Sequence, residues 1–152
     1  TGLTIELLGG VPMSIDGTEA NPADGFNYKG MMLSGLPNFA MAVGYTNASW
    51  MLKTELIAKY VCRLINHMDS KGYDYCMPLA PSEGLDEEPI LDLSSGYVQR
   101  AASILPKQGS KAPWKLYQNY ILDRIALASG SVADNSMEFG HSQPEVGLQV
   151  AA

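Results

Sequence analysis

One run of residues limits the fold of this chain more than any other. Leu56, Ile57, Tyr60, Val61, Leu64, Ile65 and Met68 recur at one- and three-residue steps. That is the period of an α-helix with one apolar face. Such a face has to be buried, and Ile57, Val61 and Leu64 are the residues expected to point inward. Lys53, Lys59 and Arg63 fall off the stripe. Ser49 or Asn47 can cap the start of the helix, and Gly72 can end it.

The helix is preceded by PNFAMAVGYTNASW, residues 37 to 50. Phe39 to Val43 is a short apolar run between Pro37 and Gly44, which suits a strand buried on both faces. After Gly44 the chemistry changes to small, hydrogen-bonding residues. Two readings are open for Gly44, Tyr45, Thr46, Asn47 and Ala48. They can be an ordinary strand–turn–helix corner with a cap. They can also be a binding site in which the unpaired N–H groups and positive dipole end of the helix meet a ligand atom of negative character.

The rest of the chain is read from alternation and punctuation. Residues 3 to 15 read as a β-hairpin: Leu3, Ile5 and Leu7 alternate, Gly9-Gly10 turns, and Val11, Met13 and Ile15 alternate again. Pro12 makes the second strand an edge, and Asp16-Gly17 is a further turn signal. Residues 18 to 37 read as irregular. Within them, Tyr28-Lys29-Gly30-Met31-Met32 either lines an apolar pocket or packs on the core as a loop. Residues 73 to 96 read as an acidic loop. A second helix is expected over Gly96 to Leu105, before Pro106. A third is expected from Pro113 to Ala128, with the stripe Trp114, Tyr117, Ile121, Ile125 and Ala128. Residues 129 to 152 read as a polar, loosely ordered tail.

Charge and motifs narrow the function. The 152 residues carry 10 Lys+Arg against 16 Asp+Glu, a net charge of −6. That balance excludes nucleic acid and anionic membranes as main partners, since both need a basic footprint. No apolar run is long enough to span a membrane, and TGLTIELLGG lacks the basic start of a signal peptide. Cys62 and Cys76 form no CxxC pair, and the two histidines, His67 and His141, lie far apart in sequence, so no metal site is expected. A disulfide between them is possible; two reduced thiols fit a cytoplasmic protein. No GxGxxG, GxxxxGK[ST] or GxSxG motif is present. His67 suits a helix C-terminus, the acidic run Glu83–Glu88 a solvated loop, and Lys107, Lys111 and Lys115 a surface cluster.

Two longer stretches carry a resemblance. YKGMMLSGLPNFAMAVGYTNASWMLKTELIAKYVCRLINHM and LDLSSGYVQRAASILPKQGSKAPWKLYQNYILD resemble the C-terminal part of the class B flavoprotein monooxygenases. The likeness is to the bacterial flavin-containing and Baeyer–Villiger-type enzymes. It covers residues 1 to 128, and Thr1-Gly2 resembles the end of the family's Ala-Thr-Gly motif. The resemblance implies a parent enzyme with one FAD domain and one NADPH domain, of which this chain is a piece. It implies that NADPH reduces the flavin and that one atom of O2 is inserted beside a carbonyl or passed to sulfur or nitrogen of a small organic substrate. It implies that Phe39–Val43 is a strand of the FAD-domain sheet and that Gly44, Tyr45, Thr46, Asn47 and Ala48 pass the flavin ring. Many related flavoproteins carry an Asp after the equivalent Gly, where this chain has Tyr45.

The expected fold is mixed α/β: an N-terminal hairpin, one core strand and three main helices, as the C-terminal portion of an FAD-binding fold over residues 1 to 128. No catalytic residue is assigned within the chain. The expected partners are a small organic substrate and the remainder of the parent FAD and NADPH domains. A fragment of this kind is expected to be inactive alone. A free-standing, non-catalytic binding module that reuses the segment is the alternative.

Overall fold

In the computed structural model, residues 4–90 and 96–142 are described. Among these residues the architecture is mixed α/β, with three helices and four two-stranded antiparallel ribbons. Helix α1, Trp50–Lys71, organises it. Leu56, Ile57, Tyr60 and Leu64 are buried, Val61 and Met68 are half-buried, and Ile65 is exposed. Lys53, expected off the stripe, is buried on it. It stands one turn before Ile57, so the inward face extends a turn further toward the N-terminus than the apolar residues alone indicate. The helix ends where expected. Gly72 adopts φ +71°, and the N–H of Tyr73 returns to the Met68 carbonyl at 3.0 Å, a closure that a left-handed residue permits.

The inward face of α1 meets side chains from distant parts of the chain. Tyr28, Met31, Met32, Cys76, Trp114, Leu127, Val132 and Met137 complete one buried cluster with it. The Tyr28–Met32 stretch is therefore core. It folds as a tight hairpin of β3, Asn27–Tyr28, against β4, Met32–Leu33.

The first ribbon pairs β1, Met13–Ile15, with β2, Thr18–Ala20. Its turn is Asp16-Gly17, with φ +49° and +78°, not Gly9-Gly10. Two consecutive positive φ values match the twist of a two-residue hairpin, and Asp-Gly supplies them readily. Leu7–Gly10 instead forms an exposed 3-10 turn; Leu3 lies outside the described residues.

Phe39 to Val43 is not a strand. Its side chains run from half-buried to exposed, and within it the Met41 N–H reaches the Met31 carbonyl at 2.7 Å. A strand needs a ladder of such bonds along its edge, and among the described residues this segment is paired with no strand.

The remaining helices are shorter than expected. α2 is Gly96–Ala101. α3 is Tyr120–Arg124 and runs into a π turn, Ile125–Ser129. It begins at Tyr120 because Gln118 has φ +50°, which no helix interior accepts, and because the Asn119 side chain caps it, accepting from the N–H groups of Ile121 and Leu122 at 3.0 and 3.2 Å. Trp114 is buried from an irregular segment, while Ile121 and Ile125 are exposed. Arg63 closes the π turn, its guanidinium donating to the carbonyls of Leu127, Ala128 and Gly130 at 2.8, 2.9 and 2.6 Å.

Two expected loops contain strands. β5, Tyr75–Pro78, pairs with β8, Met137–Gly140, which lies in the stretch expected to be a polar tail. Residues 143–152 of that stretch lie outside the described residues. β6, Glu87–Pro89, pairs with β7, Lys107–Gly109. This ribbon brings part of the acidic run against the basic cluster: Lys107 meets Glu87 and Lys115 meets Glu88, each at 2.9 Å. Cys62 is exposed, Cys76 is buried, and both are free thiols.

Candidate functional site

The turn from Gly44 to Ala48 leads directly into α1. Gly44 is buried, and a Cβ there would collide with the ring of Trp50. Glycine is what lets the turn lie this close to the first helical residue. Tyr45 is buried, and its hydroxyl donates to Asp123 Oδ2 at 2.7 Å. Burial, and after it the Asp123 carboxylate, push the Tyr45 hydroxyl up, so it stays protonated and stays a donor. Lys53 Nζ reaches the same carboxylate oxygen at 2.7 Å and lies 5.5 Å from the Tyr45 ring centre. Thr46 N–H donates to Gln118 Oε1 at 3.1 Å, and Asn47 Nδ2 donates to the Gln118 carbonyl at 3.2 Å. Residues 118 to 123 thus clamp the turn at three points.

The cap expected from Ser49 or Asn47 does not form. Ser49 occupies the cap position without a side-chain hydrogen bond, and the Asn47 amide is committed to Gln118. The start of α1 therefore has no side-chain cap. Thr46 to Trp50 are exposed around it. Behind the turn, Asn27 is buried with its amide nitrogen unpartnered, and it lines a small cavity with Gly44, Tyr45 and Lys53.

The five residues singled out by sequence are contiguous and stay together. Their supports, Gln118, Asp123 and Lys53, were not foreseen. Asp123 and Gln118 come from more than seventy positions away, and no local pattern joins them to Tyr45. The available signal was a lysine one turn before Ile57, at a position where the helix face is buried.

A second polar cluster lies under the Tyr28 hairpin. Lys29 Nζ meets Asp134 Oδ2 at 2.8 Å, the Tyr60 hydroxyl at 3.1 Å and the Ser131 carbonyl at 3.2 Å. The Tyr28 hydroxyl donates to Asp134 Oδ2 at 2.7 Å. Burial works to raise the Asp134 carboxyl, but hydrogen bonds from Lys29 and Tyr28 outweigh it and hold the group below the usual carboxylate range. A folded pKa below the unfolded value of about 3.9 gives stability that is fully present above that value and lost as pH falls through the folded one. Unfolding midpoints in urea should therefore fall more steeply from about pH 4 downward for the natural chain than for Asp134→Asn. Parallel slopes would mean that the cluster does not form in solution.

Among the described residues, no group of three His, Cys, Asp or Glu side chains is placed to hold a metal ion, and no helix is long and apolar enough to cross a membrane.

Comparison with known proteins adds a family. No family model matches the chain. No solved structure matches it. Curated proteins do. The chain is 44% identical over 148 residues to the FAD-containing monooxygenase EthA of Mycobacterium tuberculosis, covering 97% of this chain and 30% of that protein. It is 43% identical over 139 residues to the protein of the same name in Mycolicibacterium smegmatis, covering 91% and 28%. It is 48% identical over 140 residues to AlmA of an Acinetobacter species, named a probable FAD-binding monooxygenase, again covering 91% and 28%. The chain thus spans about three-tenths of the length of the curated relatives it matches. Over nearly all of its own length, the chain is homologous to one segment of the longer FAD-containing monooxygenases.

Proposed function

We propose that this segment is one wall of the flavin site in an FAD- and NADPH-dependent monooxygenase of the Baeyer–Villiger type. The observation that carries the reading is the start of α1. A turn clamped by Gln118 and Asp123 delivers a helix N-terminus that no side chain caps. Open N–H groups and the dipole there favour an atom that carries negative charge. The residues fit one edge of a flavin ring: Gly44 allows close approach, and Thr46 to Ser49 are exposed. The chain contains no glycine-rich phosphate cradle, so the phosphate contacts fall to the rest of the enzyme. The names of its relatives support FAD as the group concerned.

When bound, reduced FAD supplies the electrons that activate O2, so that one oxygen atom reaches a ketone, or sulfur or nitrogen, of an organic substrate. The part of this chain is positional. The α1 N-terminus orients the electron-rich edge of the ring. Asn47 Nδ2 is held by Gln118, which leaves Oδ1 to accept. Tyr45, held by Asp123, fixes the height of the turn. Trp50 and Met51 on α1, and Ile121 and Ile125 in and after α3, are 61–77% exposed. Apolar surface of that kind marks an interaction site, and we assign it to the remainder of the parent enzyme. We place that enzyme in the cytoplasm, where NADPH is available and an exposed thiol such as Cys62 stays reduced.

The test has two parts. The isolated chain, given FAD and a panel of ketones and thioethers, should consume no NADPH; substrate-dependent turnover would overturn its inactivity. In the full-length enzyme, Asn47→Asp should lower the flavin reduction potential, because a fixed carboxylate opposes a ring that becomes anionic on reduction. It should cost stability only about 1 kcal/mol, the exposed hydrogen bond to Gln118. An unchanged potential would return the turn to a plain helix start.

A further inference from the structure

A cleft of about 790 Å³ opens between the segment before α3, the π turn and the loop that follows it. Its volume lies in the range of sites that enclose a small organic molecule, roughly 300–1,000 Å³. Pro113, Leu122, Ala126 and Leu127 give it apolar walls. Four ionic groups also line it, and each is already neutralised. Lys29 is paired with Asp134 at 2.8 Å, Asp123 with Lys53 at 2.7 Å, and Lys115 with Glu88 at 2.9 Å.

An ionic ligand entering this cleft would lose its water and gain no free counter-charge, an unfavourable exchange. A neutral ligand would lose little and would cover apolar wall. The Tyr117 hydroxyl and the Asn135 amide remain as uncharged groups able to fix its orientation. The cleft is also preformed. Its π turn is held by the three hydrogen bonds from Arg63, so little ordering is left for a ligand to drive. A π turn is rare and is found often at functional sites.

We infer that this cleft binds a neutral, mainly apolar small molecule carrying one hydrogen-bonding polar group, and that it excludes the charged analogues of that molecule. Asp123 lines the cleft and also holds Tyr45, so the site adjoins the 44–48 turn without including it. Binding here requires no flavin.

Three eight-carbon probes decide the matter: octanamide, octanoate and octylamine. Each is titrated into the 152-residue chain without flavin, with binding followed by NMR shifts of labelled backbone amides. Octanamide should bind and shift the amides around Leu122 to Leu127. The carboxylate and the ammonium should bind at least about tenfold more weakly. Ala126→Trp should fill the cleft and abolish the octanamide shifts. Leu122→Gln should weaken them and serves where the Trp variant does not fold. The inference is overturned by no octanamide binding, by equal binding of all three probes, or by octanamide binding that a folded variant leaves unchanged. Because flavin is absent throughout, either result is independent of the flavin-wall reading.

Discussion

Trp114→Ala should lower the unfolding free energy by about 3–5 kcal/mol, the cost of removing a large aromatic side chain that its surroundings cannot replace. Trp114 is 2% exposed. Its ring stands edge-on to Tyr28 at 5.4 Å and to Phe26 at 6.5 Å. Its backbone carbonyl accepts from Gly109 N–H at 3.0 Å, and a Cβ on Gly109 would come within 2.8 Å of the Trp114 Cβ. The hairpin of Tyr28, the β6–β7 ribbon and the segment before α3 all close on this one side chain. Little can move into the space it would leave. Urea unfolding of the variant beside the natural chain measures the loss. A cost below about 1 kcal/mol would mean that the segment around Trp114 is not docked on the core.

Asp123→Ala should cost about as much, roughly 3–5 kcal/mol, for an electrostatic reason. Removing one member of a buried ion pair leaves the other charge without compensation. Lys53 is 3% exposed, and Asp123 is its carboxylate partner as well as the acceptor for Tyr45. Without Asp123 the ammonium has to be neutralised or dragged into water, and the Tyr45 hydroxyl loses its acceptor. The double variant Asp123→Ala with Lys53→Met should recover most of the loss, because a thioether of similar length carries no charge to strand. A double-mutant cycle over the four proteins separates the pair from the individual side chains. Strict additivity would show that Lys53 and Asp123 do not meet in solution.

The elements legible in the sequence were those that local rules decide. Helix α1 was visible because seven apolar residues keep its period, and Gly72 was visible as its stop because a left-handed residue closes a helix end. Lys53 was misplaced because the stripe was drawn from apolar residues alone, while its long side chain reaches a carboxylate seventy positions away. The first hairpin was misplaced because two turn signals compete in residues 9 to 17, and the two positive φ values of Asp16-Gly17 decide between them. The third helix was extended back to Pro113 because an amphipathic pattern does not reveal a positive φ at Gln118. The run Phe39 to Val43 reads as a buried strand, yet a strand is a property of two segments, and its neighbour is not among the described ribbons. At the candidate site, the turn from Gly44 to Ala48 stood out by composition. The residues that hold it did not, because a hydrogen bond between Tyr45 and Asp123 leaves no trace in the spacing of either.

The ribbon of β5 and β8 ties the timing of folding to the direction of synthesis. One edge of β5 is covered early: Asn38 accepts from the Cys76 N–H and donates its own N–H to the Cys76 carbonyl, at 3.1 and 2.9 Å. The other edge waits for β8, with Tyr75 opposite Gly140 and Pro78 opposite Met137. A ribosome builds α1 and β5 long before it reaches Met137, and closing so long a loop is slow compared with forming a helix. Throughout that interval a nascent chain carries an unpaired strand edge beside a helix face that still lacks Leu127, Val132 and Met137, a combination open to pairing with the wrong neighbour. The pairing of β8, the last of the described strands to be made, is therefore what closes that edge.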